Sequence, residues 1–398
     1  MLPSSHRLRP DTRASTLPED VLYEILLRIP AKDLCRLRCV CRAWRSLLSD
    51  PHFVVAHPTC HPEPLIVVGY ERTRPDRVLC DIMDLSGHVV KRVLAGSENE
   101  WVMRAQLDLI CVVTDSTMSC QLLDPATGAI HALPEGLAAE HVVYGLNILD
   151  YTAMTALGLV ASTGEYKVLR VLEATPDPDW HPCQLYEVFT LDHGNSQACW
   201  RAKKAPPYRC SVELHYTCSV VMDGIVYFLL SDNGWDHSTA YPRDLVAASF
   251  DLETEEWGAT IRGPLSSPKD HGIGASSWSD FSMAVLSASV VLGHGRPSCH
   301  KVSPSIDLWF LIDSEKGLWV KKHSIQISNL YGRPMVQPLL VLSDGRIILH
   351  HVRNIGISSF LKIYDPGSKT CMDVVKMDHH YAVGLYRGNL LGLPNHTS

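Results

Sequence analysis

Residues 17–53 read LPEDVLYEILLRIPAKDLCRLRCVCRAWRSLLSDPHF, and this stretch decides how the rest of the chain is interpreted. Its apolar side chains recur every three or four positions, at Leu22, Ile25, Leu26 and Ile29 and then at Leu34, Leu37, Cys41, Trp44 and Leu48. That spacing places them along one side of a helix. Pro18 suits the first position of a helix, whereas Pro30 ends one because its ring clashes with the preceding turn. The stretch therefore predicts two or three short helices.

The size of this helical stretch poses a physical problem. A unit of about 40 residues buries too little apolar surface to be stable alone unless a disulfide, a metal or a partner helps. The stretch has several large apolar residues but no plausible metal or disulfide pattern. Two interpretations follow: a helical appendage packed on the same chain, or a docking module that shares its core with another protein.

Three groups of residues give the stretch a resemblance to a known family. They are Leu17-Pro18-x-Asp20, Ile25-Leu26-x-x-Ile29-Pro30 and Leu34-x-x-Leu37-Arg38-x-Val40-Cys41-x-x-Trp44. In order, spacing and residue type they resemble an F-box, with Arg42 where lysine is common in that family. The resemblance implies docking onto the Skp adaptor of SCF-type ubiquitin ligases, and through it onto a cullin-RING scaffold.

The same resemblance implies which residues bind the adaptor. They are Leu17, Pro18, Leu22, Ile25, Leu26, Ile29, Pro30, Leu34, Leu37, Val40, Cys41 and Trp44.

From Leu65 onward the helical periodicity fades, and short β-branched runs alternate with turn signals, as in all-β proteins. One pattern recurs: an apolar strand ends in aspartate, a turn follows, and a tryptophan or apolar strand resumes. The aspartates are Asp84, Asp124, Asp192, Asp251, Asp313 and Asp365. Their side chains are expected to cap the turns. Their intervals of 40 to 68 residues match or exceed one four-stranded blade.

This recurrence predicts a β-propeller of about six blades after a small all-α module. We expect residues 381–386 to supply the strand that closes the ring against the first blade. Seven or eight blades, or packed β-sandwich sheets, are the alternatives. Through Tyr166-Lys167-Val168 and the Asp-turn-Trp hairpins, the region resembles the F-box-associated domain of the large plant F-box families.

The composition divides the chain into five segments. We expect a disordered basic arm at 1–15, the F-box module at 16–55, a proline-rich linker at 56–64, the β domain at 65–392 and a flexible tail at 393–398. The linker prediction rests on three prolines within residues 57–64, which exclude regular helix. The linker also holds two histidines and a cysteine, but no second ligand pair lies at a zinc-like spacing.

Charge and cysteine usage limit the environment and the partners. Residues 1–52 carry nine Lys/Arg and six Asp/Glu, a charge of +3, so the remainder carries −10 of the total −7. An acidic body argues against nucleic acid as its main ligand. No apolar run is long enough to span a membrane. The 13 scattered cysteines favour free thiols in a reducing compartment, so we expect a cytoplasmic or nuclear location.

Catalytic motifs are not visible in the sequence. It contains no G-x-S-x-G elbow, no Walker A loop and no H-E-x-x-H, and no cofactor is expected. The adjacent histidines at 350–351 and 379–380 point to opposite faces of a strand and so form no chelate alone. Together with this negative result, the F-box resemblance implies a non-catalytic substrate-recognition subunit. The alternative is a propeller that binds a ligand or glycan, or a hydrolase, with a helical appendage.

Three long insertions in the β region are the predicted target-binding loops. They span 173–183, 231–244 and 264–280, and they contain Trp180, Trp235 and Trp278 respectively. Because large aromatic residues dominate binding hot spots, these three are predicted to contact a target protein from one face.

Overall fold

A computed structural model describes the residues 17–61, 63–70, 76–97, 99–114, 119–142, 147–175, 183–191, 199–212, 218–231, 245–264, 281–296, 304–327, 335–354, 358–388 and 390–391. The chain divides into two compact units. The helical unit comprises Met1–Glu63 together with Asn389–Ser398, and the propeller unit comprises Pro64–Gly388. The predicted arm at 1–15 and the tail at 393–398 lie outside the described residues.

The helical unit confirms the helices predicted from the apolar spacing and adds one to them. Its helices are α1 (Glu19–Leu27), α2 (Ala31–Leu37), α3 (Arg42–Leu48) and α4 (Pro51–Cys60). Pro18 and Pro30 occupy the positions immediately before α1 and α2, where a missing N–H breaks no helical hydrogen bond. The buried core consists of Leu26, Leu27, Leu34, Leu48, Phe53 and Leu391.

Helix α4 corrects the predicted linker at 56–64, because five of those residues are helical. Asp50 caps the helix by accepting hydrogen bonds from the backbone N–H groups of His52 and Phe53, and Pro51 takes the first helical position. Pro58 lies in the last turn, so the helix ends two residues later. A proline count alone could not show that these positions tolerate proline.

The domain boundary near the end of the chain also differs from the prediction. The β domain was expected to run to residue 392, whereas the propeller unit ends at Gly388. The reason is that Leu390 and Leu391 are buried and belong to the helical unit, with Leu391 inside its core.

Where it is described, the propeller unit consists of short strands and a short helix, α5 (Ala139–Val142). In chain order the strands are β1 (Leu65–Tyr70), β2 (Val78–Met83), β3 (Val89–Leu94), β4 (Glu100–Gln106), β5 (Leu109–Thr114), β6 (Ser119–Leu123), β7 (Ile130–Ala132), β8 (Asn147–Leu159), β9 (Tyr166–Thr175), β10 (Cys183–Leu191), β11 (Arg201–Lys203), β12 (Ser219–Met222) and β13 (Ile225–Leu229). They continue with β14 (Leu245–Asp251), β15 (Glu256–Trp257), β16 (Ile261–Arg262), β17 (Phe281–Leu286), β18 (Ser289–Arg296), β19 (Ser305–Asp313), β20 (Leu318–Gln326), β21 (Met335–Val341), β22 (Ile347–Asn354), β23 (Ser358–Asp365), β24 (Thr370–Asp378) and β25 (His380–Tyr386).

These strands form six antiparallel sheets arranged in a ring, which confirms a six-bladed propeller. Five sheets follow the chain as β4 to β7, β8 to β11, β12 to β16, β17 to β20 and β21 to β24. The first sheet has the order β25-β1-β2-β3, so the last strand closes the ring as predicted. Leu65 lies opposite Tyr386 in this pairing, and Val68 lies opposite Val383. The first and last sheets share an apolar cluster that contains Ile66 and Ile348.

The recurring hairpins carry capping aspartates, and three of them tie their blade to the preceding one. The side chains of Asp84, Asp124, Asp251, Asp313 and Asp365 accept backbone hydrogen bonds in their own turns, as predicted. Asp192 lies outside the described residues. Three tryptophans that follow such turns donate their indole N–H to the preceding blade: Trp200 to Pro134 O, Trp257 to Lys204 O and Trp319 to Arg262 O, at 2.7–2.8 Å.

A buried carboxylate on β10 bonds the sheet β8 to β11 to helix α5 and to the residue before it. Glu187 is fully buried and accepts hydrogen bonds from Arg170 Nε at 2.8 Å, His141 Nδ1 at 2.6 Å and the backbone N–H of Ala138 at 2.8 Å. The Arg170 guanidinium also lies 3.8 Å from the centre of the Trp200 ring. The charge of Glu187 is therefore compensated on several sides, as a buried charge requires.

Candidate functional site

Helix α1 carries apolar residues on two faces, and one of them is exposed. Its inner face packs in the core, where Tyr23 meets the ring of Phe53 edge-on with centroids 5.2 Å apart. Its outer side shows Val21 and Ile25, which are 44% and 43% exposed, preceded by Leu17 at 58%. Val21 and Ile25 are four residues apart and so lie on one side of α1, and Leu17 lies just before the helix. We call Leu17, Val21 and Ile25 the exposed stripe.

The helical unit exposes more large apolar residues than its size leads one to expect. Among the described residues it contributes five of the fourteen exposed large hydrophobics: Leu17, Val21, Ile25, Val40 and Val55. Val40 is 64% exposed in the turn after α2, and Val55 is 75% exposed on α4. Concentrated exposed apolar surface on a small folded unit is typical of an interaction site.

The structure divides the predicted adaptor-binding residues into three groups. Leu17, Pro18, Ile25, Pro30, Val40 and Cys41 are exposed; Leu22, Ile29, Leu37 and Trp44 are half-buried; Leu26 and Leu34 are buried. The two buried leucines have no surface to offer a partner, and they support the site by filling the core. The remaining ten have side-chain surface available for contact.

Two exposed residues of this unit were missing from the sequence prediction. Val21 completes a four-residue spacing with Leu17 and Ile25, and that second stripe is readable in the sequence. Val55 was missed because residues 51–60 were not predicted to be helical.

The histidines of the expected linker support helix α1. His57 Nε2 lies 2.9 Å from Ile29 O and His61 Nε2 lies 3.1 Å from Leu27 O, so both rings satisfy carbonyls at the end of α1. The two rings stack with centroids 4.4 Å apart. Burial lowers the pKa of His57, which keeps its ring neutral beside them.

The predicted target-binding residues Trp180, Trp235 and Trp278 all lie outside the described residues. Their common face and their contact with a target remain predictions.

A pair of buried thiols in the propeller lies beside a small cavity. Cys111 Sγ lies 3.1 Å from Cys120 Sγ and 3.3 Å from Thr155 Oγ1, and the hydrogen bond from Cys120 is the largest effect lowering the pKa of Cys111. The cavity, lined also by Arg104, measures about 10 Å³. A space of that size accommodates about one water molecule. It is therefore too small for an organic substrate.

Two features are absent from the part of the chain that the structure describes. No group of three or more His, Cys, Asp or Glu side chains in this part of the chain is placed to hold a metal ion. None of the helices within it is long and apolar enough to cross a membrane.

Comparison with known families gives two matches. The F-box domain family matches residues 15–55, and the F-box associated beta propeller domain family matches residues 88–382, more than half of the chain. The first match contains the exposed stripe, and the second covers most of the propeller. An F-box domain indicates binding to Skp-type adaptors of SCF complexes.

Individual relatives are similar but distant. The chain is 25% identical over 242 residues to the F-box protein At3g49450 of Arabidopsis thaliana, which covers 54% of each protein. It is 23% identical over 324 residues to the F-box protein At1g53790 of the same plant, which covers 77% of this chain and 64% of the relative. The chain thus spans about half to two thirds of the length of these relatives.

Among solved structures, the periplasmic gluconolactonase PpgL of Pseudomonas aeruginosa is 11% identical with a TM-score of 0.40, covering 79% of this chain and 83% of that one. So weak a likeness carries no argument about activity.

The two family matches, together with the observed order of a helical unit and six sheets in a ring, establish the family of this chain. The chain belongs to the F-box proteins with an F-box-associated β-propeller domain.

Proposed function

We propose that this protein is the substrate-recognition subunit of an SCF-type ubiquitin ligase. The F-box docks on a Skp-family adaptor, and the propeller captures a target protein for ubiquitination. The observation that carries the proposal is the exposed stripe on α1, which lies within the segment matched as an F-box.

The exposed stripe supplies the free energy that such docking needs. Burying a partly exposed Val, Leu or Ile side chain contributes roughly 1–2 kcal/mol each, at about 25 cal/mol per Å². Val21 and Ile25 on one side of α1, with Leu17 just before the helix, therefore give a partner several kcal/mol, before any hydrogen bonds are made. The core beneath the stripe fixes its shape, because Leu26 and Leu34 are fully enclosed.

The role assigned to this chain is non-catalytic. The two matched families are typical of substrate adaptors. A receptor accelerates ubiquitin transfer by holding the target lysines at high local concentration near the conjugating enzyme. The residues of this chain then need to bind and position the target, and the bond-making chemistry belongs to the other subunits.

The adaptor test uses charge substitutions on the exposed stripe. The double variant Val21→Asp with Ile25→Asp places two carboxylates where an apolar interface is expected, so it should weaken adaptor binding at least 100-fold in calorimetric titration. A matched control is Val320→Asp on β20, since that side chain is 44% exposed and lies in the propeller. Substituting Leu26 would not serve, because that side chain is only 1% exposed and its loss disrupts the helical core.

Both variants should keep the wild-type circular dichroism spectrum and melting temperature, because each changed side chain faces solvent. Wild-type adaptor affinity in the double variant contradicts the docking proposal.

Target binding by the propeller is tested at Trp180, Trp235 and Trp278. Alanine at any one of them should weaken target capture by ~2 kcal/mol or more while adaptor binding stays intact.

A further inference from the structure

We propose that residues 390 and 391 are a working part of the adaptor-docking unit, so that docking competence depends on a segment more than 300 positions away in sequence from the F-box helices. This inference rests on the proposed function, because the adaptor is the readout. Leu390 and Leu391 are thereby positioning residues: they shape the helices that carry the exposed stripe without belonging to the stripe.

The first support is the burial of Leu391. Its side chain is fully buried, and it packs in one apolar cluster with Leu26, Leu34, Leu48 and Phe53. Those four residues come from α1, α2, α3 and α4 respectively. A residue more than 300 positions away in sequence therefore completes a core to which each helix of the F-box contributes.

The second support is the hydrogen bonding of Arg38. Its Nη2 atom donates to Leu48 O and to Leu391 O, each at 2.7 Å. Leu48 is the last residue of α3, where a carbonyl lacks a helical partner. Arg38 thus joins the end of α3 to the backbone at residue 391. The segment is held by backbone contacts as well as by its apolar side chain.

The third support is what precedes the segment in the propeller. Tyr386 is 1% exposed at the end of β25, opposite Leu65 in the pairing with β1, and the backbone N–H of Arg387 donates to Leu107 O at 3.0 Å. The chain is therefore fixed in the propeller until residue 387, four residues before Leu391.

The size of the helical unit makes this contribution matter. A core with few buried residues loses a large fraction of its apolar contacts when one of them is removed. Leu391 is one of six buried residues in that core. Without it, we expect the helices that present the exposed stripe to unfold locally more often. The adaptor is expected to bind only the folded helical unit.

The test compares two deletions in the full chain. Deleting residues 389–398 removes Leu390 and Leu391, whereas deleting residues 393–398 keeps both and serves as the matched control. Amide hydrogen exchange of residues 19–60 reports the helical unit without any adaptor, and calorimetry reports adaptor affinity. The longer deletion should speed exchange in α1 to α4 and weaken adaptor binding at least tenfold, while the control matches wild type.

Leu391→Asp and Leu391→Ala extend the test without shortening the chain. Both should speed exchange in the helical unit, aspartate more than alanine, and leave exchange in the propeller strands unchanged. A synthetic peptide of residues 387–398, added at high concentration to the longer deletion, should restore slow exchange.

Unchanged exchange of residues 19–60 after the longer deletion overturns the inference. Faster exchange with unchanged adaptor affinity also overturns it, because docking then does not depend on the segment. Failure of the wild-type chain to bind any Skp-family adaptor contradicts the proposed function instead. The exchange data are obtained without adaptor, so the two failures are distinguished.

Discussion

The helical unit and the propeller unit stabilise themselves in different ways. The helical unit has a single small core and leaves Leu17, Val21, Ile25, Val40 and Val55 exposed. The propeller spreads its apolar residues over clusters between successive sheets and adds indole hydrogen bonds and buried ion pairs. The comparison shows that the helical unit keeps much of its apolar surface exposed, whereas the propeller buries most of its own between neighbouring sheets.

The most severe expected effect is on the small core. Phe53→Ala removes a fully buried ring that contacts Tyr23, and such truncations cost about 3–5 kcal/mol. We expect the helical signal in circular dichroism to be lost while the propeller still melts at the wild-type temperature. Val55→Ala, on the same helix but 75% exposed, is the control. If the variant unfolds the propeller together with the helical unit, the two units form one cooperative structure, and the contrast drawn above is wrong.

A buried charge in the propeller gives the next largest effect. Glu187→Gln leaves Arg170 buried without its counter-charge, and breaking such a pair costs about 3 kcal/mol. The propeller should melt earlier, and the exchange of the helical amides at 19–60 should not change. Glu253→Gln is the control, since that carboxylate is exposed and bonded only to Ser162 in the described residues. Equal melting of both variants contradicts the role of the buried pair.

Lowering the pH should destabilise the propeller more than the helical unit. Burial lowers the pKa of His294, His351 and His380 in the propeller to about 4, below the ordinary 6.5. A histidine with a lowered folded pKa takes up its proton more readily when unfolded, so stability is retained above 6.5 and declines as pH falls toward 4. Going from pH 7.5 to 6 should cost the propeller roughly 2 kcal/mol, summed over the three rings.

The measurement is the urea concentration at the unfolding midpoint of the propeller at both pH values. In the variant His351→Gln, this midpoint should change less with pH. The helical unit should respond less, because His57 is its one described histidine with a lowered pKa. A propeller midpoint independent of pH over this interval would falsify the assignment of neutral buried histidines.

Much of this architecture was readable in the sequence because it follows from local periodicity. The three- and four-residue spacing gave α1 to α3, and the Asp-turn pattern gave six blades with their capping aspartates. The closing strand was readable because an open sheet edge at β1 needs a partner. Each of these rests on interactions between residues close in sequence or on a repeated unit.

The remaining features depend on contacts that periodicity does not encode. Apolar spacing identified Leu26 and Ile25 alike, but it could not say that one is buried and the other exposed. Helix α4 was missed because its prolines are tolerated only at its first position and in its last turn. The place of Leu391 in the helical core is a long-range contact with no local signal.

The position of Leu391 has a consequence for synthesis on the ribosome. A nascent chain grows at roughly 5–20 residues per second, so residue 391 is made roughly 20 to 60 seconds after α4. During that interval the F-box helices have left the ribosome without the last side chain of their core, and β1 has no β25 beside it. An unfinished chain thus lacks part of its helical core until residue 391 has been made.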